Sequence, residues 1–304
     1  DALSHDALDA LALIALKRSD VPIARDVVFA IGAASFKDDV VKNAQYALSE
    51  GGFVVESALR PGEDLVDVDV AENGAFRFAL TSHTDSEPAA ERIVRAAGRV
   101  LAHMSGEKER VTAPAARELD DVGRAHGGIE ALAPSWFARL ALDDALVRDT
   151  CDITRLLAGA HAGERADVVP STASATFACR LLPGTDPRAF QDAILVAVDD
   201  PRVDVRVLDA WPASSSNADS AVVAAIRARM KSEEPGAAVV AALAADDTAC
   251  RVVRAAGVPC YGFTPIRVTK AERASCRGRD ERVRTAELER ALPRLVDVVA
   301  TLAR

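Results

Sequence analysis

Five arginines fall between Lys270 and Arg284, at Arg273, Arg277, Arg279, Arg282 and Arg284. Guanidinium groups are forked donors that match carboxylates and phosphates. The run therefore reads either as a solvated loop or as a pocket for a small anion. Five cysteines (Cys151, Cys179, Cys250, Cys260 and Cys276) are odd in number and lack C-x-x-C spacing. That pattern predicts unpaired thiols and a reducing, cytoplasmic setting. Cys250 or Cys276 could act as a nucleophile only with a base nearby, and no histidine is close to either in sequence. The acidic pairs Asp38-Asp39 and Asp246-Asp247 read as caps or solvated loops. His5, His103, His126 and His161 fit no motif and are expected at the surface. The chain has no G-x-S-x-G elbow and no phosphate-cradling glycine loop.

These residues sit in a chain of 304 residues with a net charge of −9 and 49% hydrophobic residues. The composition is that of a folded globular protein, and the negative charge disfavours nucleic-acid and anionic-membrane partners. No apolar run reaches the roughly 18–20 residues that span a bilayer, and no signal-peptide pattern opens the chain. The first residues already read as helix, so an N-terminal part is expected to be missing. Aromatic residues are 4% of the chain, so Ala, Val and Leu must build the core.

The elements follow from periodicity. Ser4–Arg18 is helical, with Leu8, Leu11 and Ala15 on one face. Asp26–Ala34 is a short apolar run that predicts a buried parallel strand, and Phe53–Ser57 predicts another. From Asp67 the pattern alternates through Asn73-Gly74 into a second alternating run, which predicts a hairpin. Pro88–Met104 is an amphipathic helix, and Ser105–Leu146 a helical, surface-lying insert. Asp149–Leu157 is strand-like. Thr172–Cys179 alternates strictly, turns at Pro183-Gly184 and offers Thr185/Asp186 as a helix cap before Pro187. A helix (Pro187–Val198) and a strand (Val203–Leu208) complete a two-layer α+β module of split βαβ type. Beyond it come a helix at Asp219–Lys231, a strand at Ala238–Leu243, a short helix at Cys250–Ala256, a strand at Val258–Phe263 and a last helix at Ala286–Ala303. Pro293 is expected to kink or split that last helix.

In this order, ALKRSDVPIARDVVFA, ALSEGGF, VAENGAFRFALTSH, ADVVPSTASATFACRLLPGTDP, TACRVVRAAGVPCYGF and RGRDERVRTAELERAL resemble the co-catalytic zinc metallopeptidases. That family includes acetylornithine deacetylase, succinyl-diaminopimelate desuccinylase, aminoacylase and carboxypeptidases. The resemblance implies an α/β fold: a three-layer metallopeptidase-like domain (residues 1–67 and 212–304) with an inserted two-layer, ferredoxin-like lid (residues 68–211) that forms a homodimer. It also implies two zinc ions, a bridging Asp, a Glu base and a lid His on the oxyanion. By the same resemblance Asp1 takes the bridging position and Glu50 a ligand position, the only two metal ligands that survive. Arg251 falls at the arginine that meets a substrate carboxylate, and His83 near the oxyanion position. The Asp-Glu-Glu triplet is replaced by Ala34, Ser35 and Phe36, and the last ligand His by Arg277. The expectation is a degenerate homologue without a cofactor, in which Arg251, Arg277 and Arg279 bind a small anionic ligand such as a carboxylate or acyl amino acid, or which serves a structural role in a dimer. The alternative is an active zinc amidohydrolase or carboxypeptidase whose other ligands come from a missing segment or another chain.

Overall fold

The computed structural model describes residues 2–30, 41, 43–126, 144–158, 169–276 and 278–304. Asp1, Ala34–Phe36, Asp38-Asp39, His161 and Arg277 lie outside them. Helix α1 (Ala2–Arg18) precedes strands β1 (Ala47–Ser49), β2 (Val54–Arg60), β3 (Glu63–Glu72) and β4 (Gly74–His83). Helices α2 (Ala89–Ser105) and α3 (Ala113–His126) lead to β5 (Thr150–Ala158), β6 (Thr172–Leu181), α4 (Pro187–Val198), β7 (Asp204–Trp211) and β8 (Ser214–Ser215). Then come α5 (Ala221–Glu233), β9 (Ala238–Ala244), α6 (Cys250–Ala255), β10 (Cys260–Gly262), β11 (Arg267–Val268), α7 (Lys270–Ala274) and α8 (Thr285–Ala303).

The strands form two sheets. One has four strands in the order β5-β6-β4-β7. Along β6 burial alternates, as the sequence pattern predicts. Its inward Ala175, Phe177 and Cys179 join Phe76, Phe78 and Leu80 of β4 under Ile93, Ala97 and Val100 of α2 and Phe190 and Ile194 of α4. Phe78 stacks on Phe177 with ring centroids 4.8 Å apart. Asp186 caps α4 by accepting the Arg188 amide, with Pro187 in the first turn. The order βα-insert-ββαβ is the expected two-layer module.

The second sheet has seven strands built around β3, which pairs with β9 in parallel and with β2, β8 and β10 antiparallel. Its Val66, Val68 and Val70 share a core with Val222, Ile226 and Met230 of α5, Leu295 and Val298 of α8, and Leu8 of α1. The architecture is the expected α/β metallopeptidase-like fold with a ferredoxin-like lid.

Four local expectations are corrected. The Asn73-Gly74 pair is a crossing point between the sheets, because β3 and β4 belong to different ones. The Asn73 backbone amide donates to the Ala244 carbonyl (3.0 Å) and its side-chain amide to the Ala145 carbonyl (2.5 Å). A Cβ at Gly74 would lie 2.7 Å from the Trp211 carbonyl oxygen, so only glycine lets the chains approach there. The hairpin instead joins β2 to β3 through Pro61-Gly62, where Gly62 has φ +81°. Residues 26–30 form no strand and are largely exposed, and the rest of that predicted strand lies outside the described residues. Helix α8 is not split at Pro293 but continues through it. The carbonyl that Pro293 leaves without a donor belongs to Glu289, an exposed residue that water can serve. The insert helix α3 is not surface-lying, since Val122 is fully buried in the core of the seven-stranded sheet.

The cysteine expectation also fails. Cys151 bonds Cys179 across β5 and β6, and Cys250 bonds Cys260 between α6 and β10. Pairing is decided by strand register and helix docking, which neither count nor spacing reveals. Cys250 is therefore not available as a nucleophile, and the argument for a reducing setting falls with it. Cys276 is exposed and outside both disulfides.

Candidate functional site

Strand β1 runs parallel to β10, with Ser49 opposite Gly262, and this pairing delivers Glu50 to the first turn of α6. There the Glu50 carboxylate is already held by the chain. The Ser49 hydroxyl donates to one oxygen, and the Ala249 amide donates to the other at 2.9 Å. Burial pushes the Glu50 carboxyl upward, but the Ser49 hydroxyl, the Ala249 amide and the nearby His5 outweigh it and hold the group below its usual range. Gly51-Gly52 then turns the chain with φ +109° and +62°. A Cβ on Gly52 would meet the Gly262 carbonyl oxygen at 2.3 Å, so the glycine is required.

His5 of α1 reaches the same neighbourhood. It is buried, which corrects its expected surface position. Its Nδ1 lies 3.0 Å from the Thr264 hydroxyl and its Nε2 3.2 Å from the Asp9 carboxylate. Burial raises the Asp9 carboxyl; His5 opposes this, while Asp6 and Glu50 add to it. A His and an Asp four residues apart on a helix are neighbours, and that spacing is the signal that could have found this pair. Both imidazole nitrogens and both Glu50 oxygens are thus engaged by the protein. Among the described residues no three His, Cys, Asp or Glu side chains converge as a metal site. The described residues do not fit the closed zinc shell that the fold implies.

Arg251, on α6, is also engaged. It pairs with Asp247, lies 3.9 Å from Asp209 and stacks 5.4 Å over the Trp211 ring. Arg77 of β4 joins the same group through Asp209 (2.6 Å) and Asp247 (2.9 Å), while Arg180 of β6 reaches Asp246 at 2.7 Å. Asp246-Asp247 lies in the loop after β9 and is no cap; its carboxylates pair with Arg180 and Arg77 of the four-stranded sheet, an ionic clasp between the two sheets. His83 is exposed at the end of β4 opposite Thr172, on the other sheet from Glu50. Asp1 and Arg277 lie outside the described residues. Arg279 is exposed.

A buried acidic group went unrecognised in the sequence. Asp67 and Asp69 project from the same face of β3, and Glu118 joins them electrostatically from α3. Arg273, from the arginine run, turns inward and pairs with Asp67 at 2.5 Å. Burial, then the neighbouring Asp67, pushes the Asp69 carboxyl up to about 7. Burial, with Asp67 adding repulsion, pushes Glu118 up to about 8. The charged residues alternating through VDVDV were the available signal, but alternation alone suggests one wet face, whereas β3 is covered on both.

The peptidase dimerisation domain, M20_dimer, matches residues 87–205. Human carnosine dipeptidase 1 superposes with a TM-score of 0.62 at 9% identity, over 88% of this chain and 62% of that one. The dipeptidase Dug1p of Saccharomyces cerevisiae gives 0.57 at 9% identity, over 85% and 58%. The M20 family metallo-carboxypeptidase Sso-CP2 of Sulfolobus solfataricus gives 0.52 at 12% identity, over 83% and 63%. The chain thus spans 58–63% of the length of these relatives. Curated protein sequences gave no match. Residues 87–205 are an M20 peptidase dimerisation domain. Over 83–88% of its length the chain has a fold similar to those solved peptidases, in agreement with the resemblance of its motifs.

Proposed function

We propose that this chain is a degenerate M20 homologue that keeps the scaffold for binding a small carboxylate or acyl amino acid and does not hydrolyse it. The observation that carries this reading is Glu50, whose two oxygens each accept a hydrogen bond from the chain itself, one from Ser49 and one from Ala249. Ala34, Ser35 and Phe36 in place of the acidic triplet, and Arg277 in place of the ligand His, support it from the sequence. The solved relatives are named dipeptidases and a carboxypeptidase, and a peptide-like carboxylate is the ligand class taken from them. Because Arg251 is already paired, Arg277 and Arg279 are the cations assigned to the ligand. Calorimetric titration of metal-free protein with N-acetyl amino acids is expected to show saturable heat that Arg277→Ala abolishes. Equal heat from the variant would remove the pocket. The competing reading is a metal-dependent amidohydrolase or carboxypeptidase, with Glu50 as one ligand and the others completed by another chain.

The reading includes a homodimer through the lid. Strand β5 is one of the two outer strands of the four-stranded sheet, and Ile153, Leu156 and Leu157 are exposed on it. An apolar edge strand invites pairing with a second copy. Replacing Leu156 and Leu157 by Asp is expected to yield monomer in sedimentation velocity where the parent chain sediments as dimer. A variant that sediments like the parent would place the contact elsewhere.

A further inference from the structure

Helix α3 belongs in chain order to the matched lid domain, within residues 87–205, yet it packs on the other sheet. Its base is fastened in the lid. The Arg110 amide donates to the Val147 carbonyl at 2.7 Å, and the Arg110 guanidinium meets Asp149 at 3.2 Å. Asp149 in turn accepts from the Leu182 amide at 2.6 Å and from the Thr185 hydroxyl at 2.9 Å, at the end of β6. From that base the chain leaves the lid and places Val122, with Ala115 and Leu119 beside it, in the core of the seven-stranded sheet.

The helix lands on β9. That strand, AVVAALA, is apolar and buried along nearly its whole length, a pattern that belongs to an interior strand. Among the described residues, however, β3 is its only strand partner. The opposite edge needs acceptors, since buried amides left unpaired are costly. Asp121 accepts from the Ala241 amide and Glu118 from the Leu243 amide, each at 3.0 Å. The acids lie three apart on a helix and the amides two apart on a strand, so two side chains stand in for the carbonyls of a missing neighbour. Arg117 to Asp219 (2.6 Å) and Arg227 to Asp121 (3.5 Å) secure the helix beside α5. Ala145, following the helix in the chain, accepts from Asn73 at the crossing between the sheets.

We infer that α3 is a strap: a lid-borne helix whose Glu118 and Asp121 side chains close the free edge of β9 and so fix the lid to the body. The strap joins the lid to the core directly, so the free edge of β9 is closed by a segment of the lid. The test is residue-resolved amide hydrogen exchange on the full chain. In Glu118→Ala/Asp121→Ala, exchange at Ala241, Leu243 and the crossing residue Asn73 is expected to rise at least ~10-fold, the signature of local opening. The lid strand β6 should stay protected, and Glu118→Gln/Asp121→Asn, which keeps both acceptors, should behave like the parent. If the double alanine variant does not fold, the single variants carry the test: Asp121→Ala should expose Ala241, and Glu118→Ala should expose Leu243. Unchanged protection of β9, or β6 exchanging in step with it, would overturn the strap.

Discussion

Replacing Glu72 by alanine is expected to destabilise the chain by about 3–5 kcal/mol, the usual cost of removing one partner from a buried ion pair. Glu72 and Arg254 have side chains only 1% and 5% exposed, and they meet at 3.0 Å. Glu72 also accepts from the Ser214 hydroxyl at 2.9 Å and from both the amide and the hydroxyl of Thr248 at 2.8 Å. Without it a guanidinium is left buried and uncompensated, and three further donors lose their acceptor. The effect reaches the candidate site, because Thr248 precedes the Ala249 amide that holds Glu50. Urea unfolding measures the loss. Glu72→Gln, which keeps acceptor capacity but not the charge, should fall between parent and alanine variant. A loss below about 1 kcal/mol in the alanine variant, the range of an exposed pair, would show that the pair contributes little.

The second large effect is a pH dependence set by Glu118 and Asp69. A carboxyl whose folded pKa is raised binds its proton more tightly in the folded chain than in the unfolded one. Stability is therefore lost as pH rises between the unfolded and folded values. For Glu118 that window runs from 4.5 to about 8, and for Asp69 from 3.8 to about 7. Within its window each group contributes a slope of at most about 1.4 kcal/mol per pH unit. The lowered carboxyls Glu50 and Asp64 act the other way, and their contribution is lost as pH falls below their ordinary values. Maximum stability is thus expected in mild acid. Glu118→Gln keeps the acceptor for Leu243 and removes the titration. Its melting temperature should match the parent's near pH 5 and exceed it above pH 8. A difference independent of pH would show that ionisation of Glu118 is not the cause.

Local signals in the sequence were reliable wherever local physics decides the outcome. The alternation of β6 and the Asp186-Pro187 helix start appear as expected, because a strand facing two helices must alternate and a cap acts within three residues. The order of motifs led to the fold, because pieces of a common core survive at low identity. What failed depended on distant partners. Asn73-Gly74 looked like a hairpin turn, but β3 pairs with β9 about 170 residues later in the chain, and that long-range pairing overrides the turn preference. The insert segment is polar and Ala-rich and so reads as surface-lying, yet the carboxylates of its Glu118 and Asp121 serve as backbone acceptors. Arg251 and Arg273 looked like cations waiting for an anion, and the fold supplies Asp247 and Asp67.

The central claim is that Glu50 is committed to the protein's own donors and no longer to a pair of metal ions. The direct measurement is metal content and hydrolysis on the same purified sample, after incubation with excess zinc and removal of the unbound ion. The account predicts well under one equivalent of retained zinc per chain and no EDTA-sensitive release of amino acid from N-acyl substrates. About two retained equivalents per chain, the complement of a two-metal hydrolase, together with hydrolysis that EDTA abolishes, would contradict it.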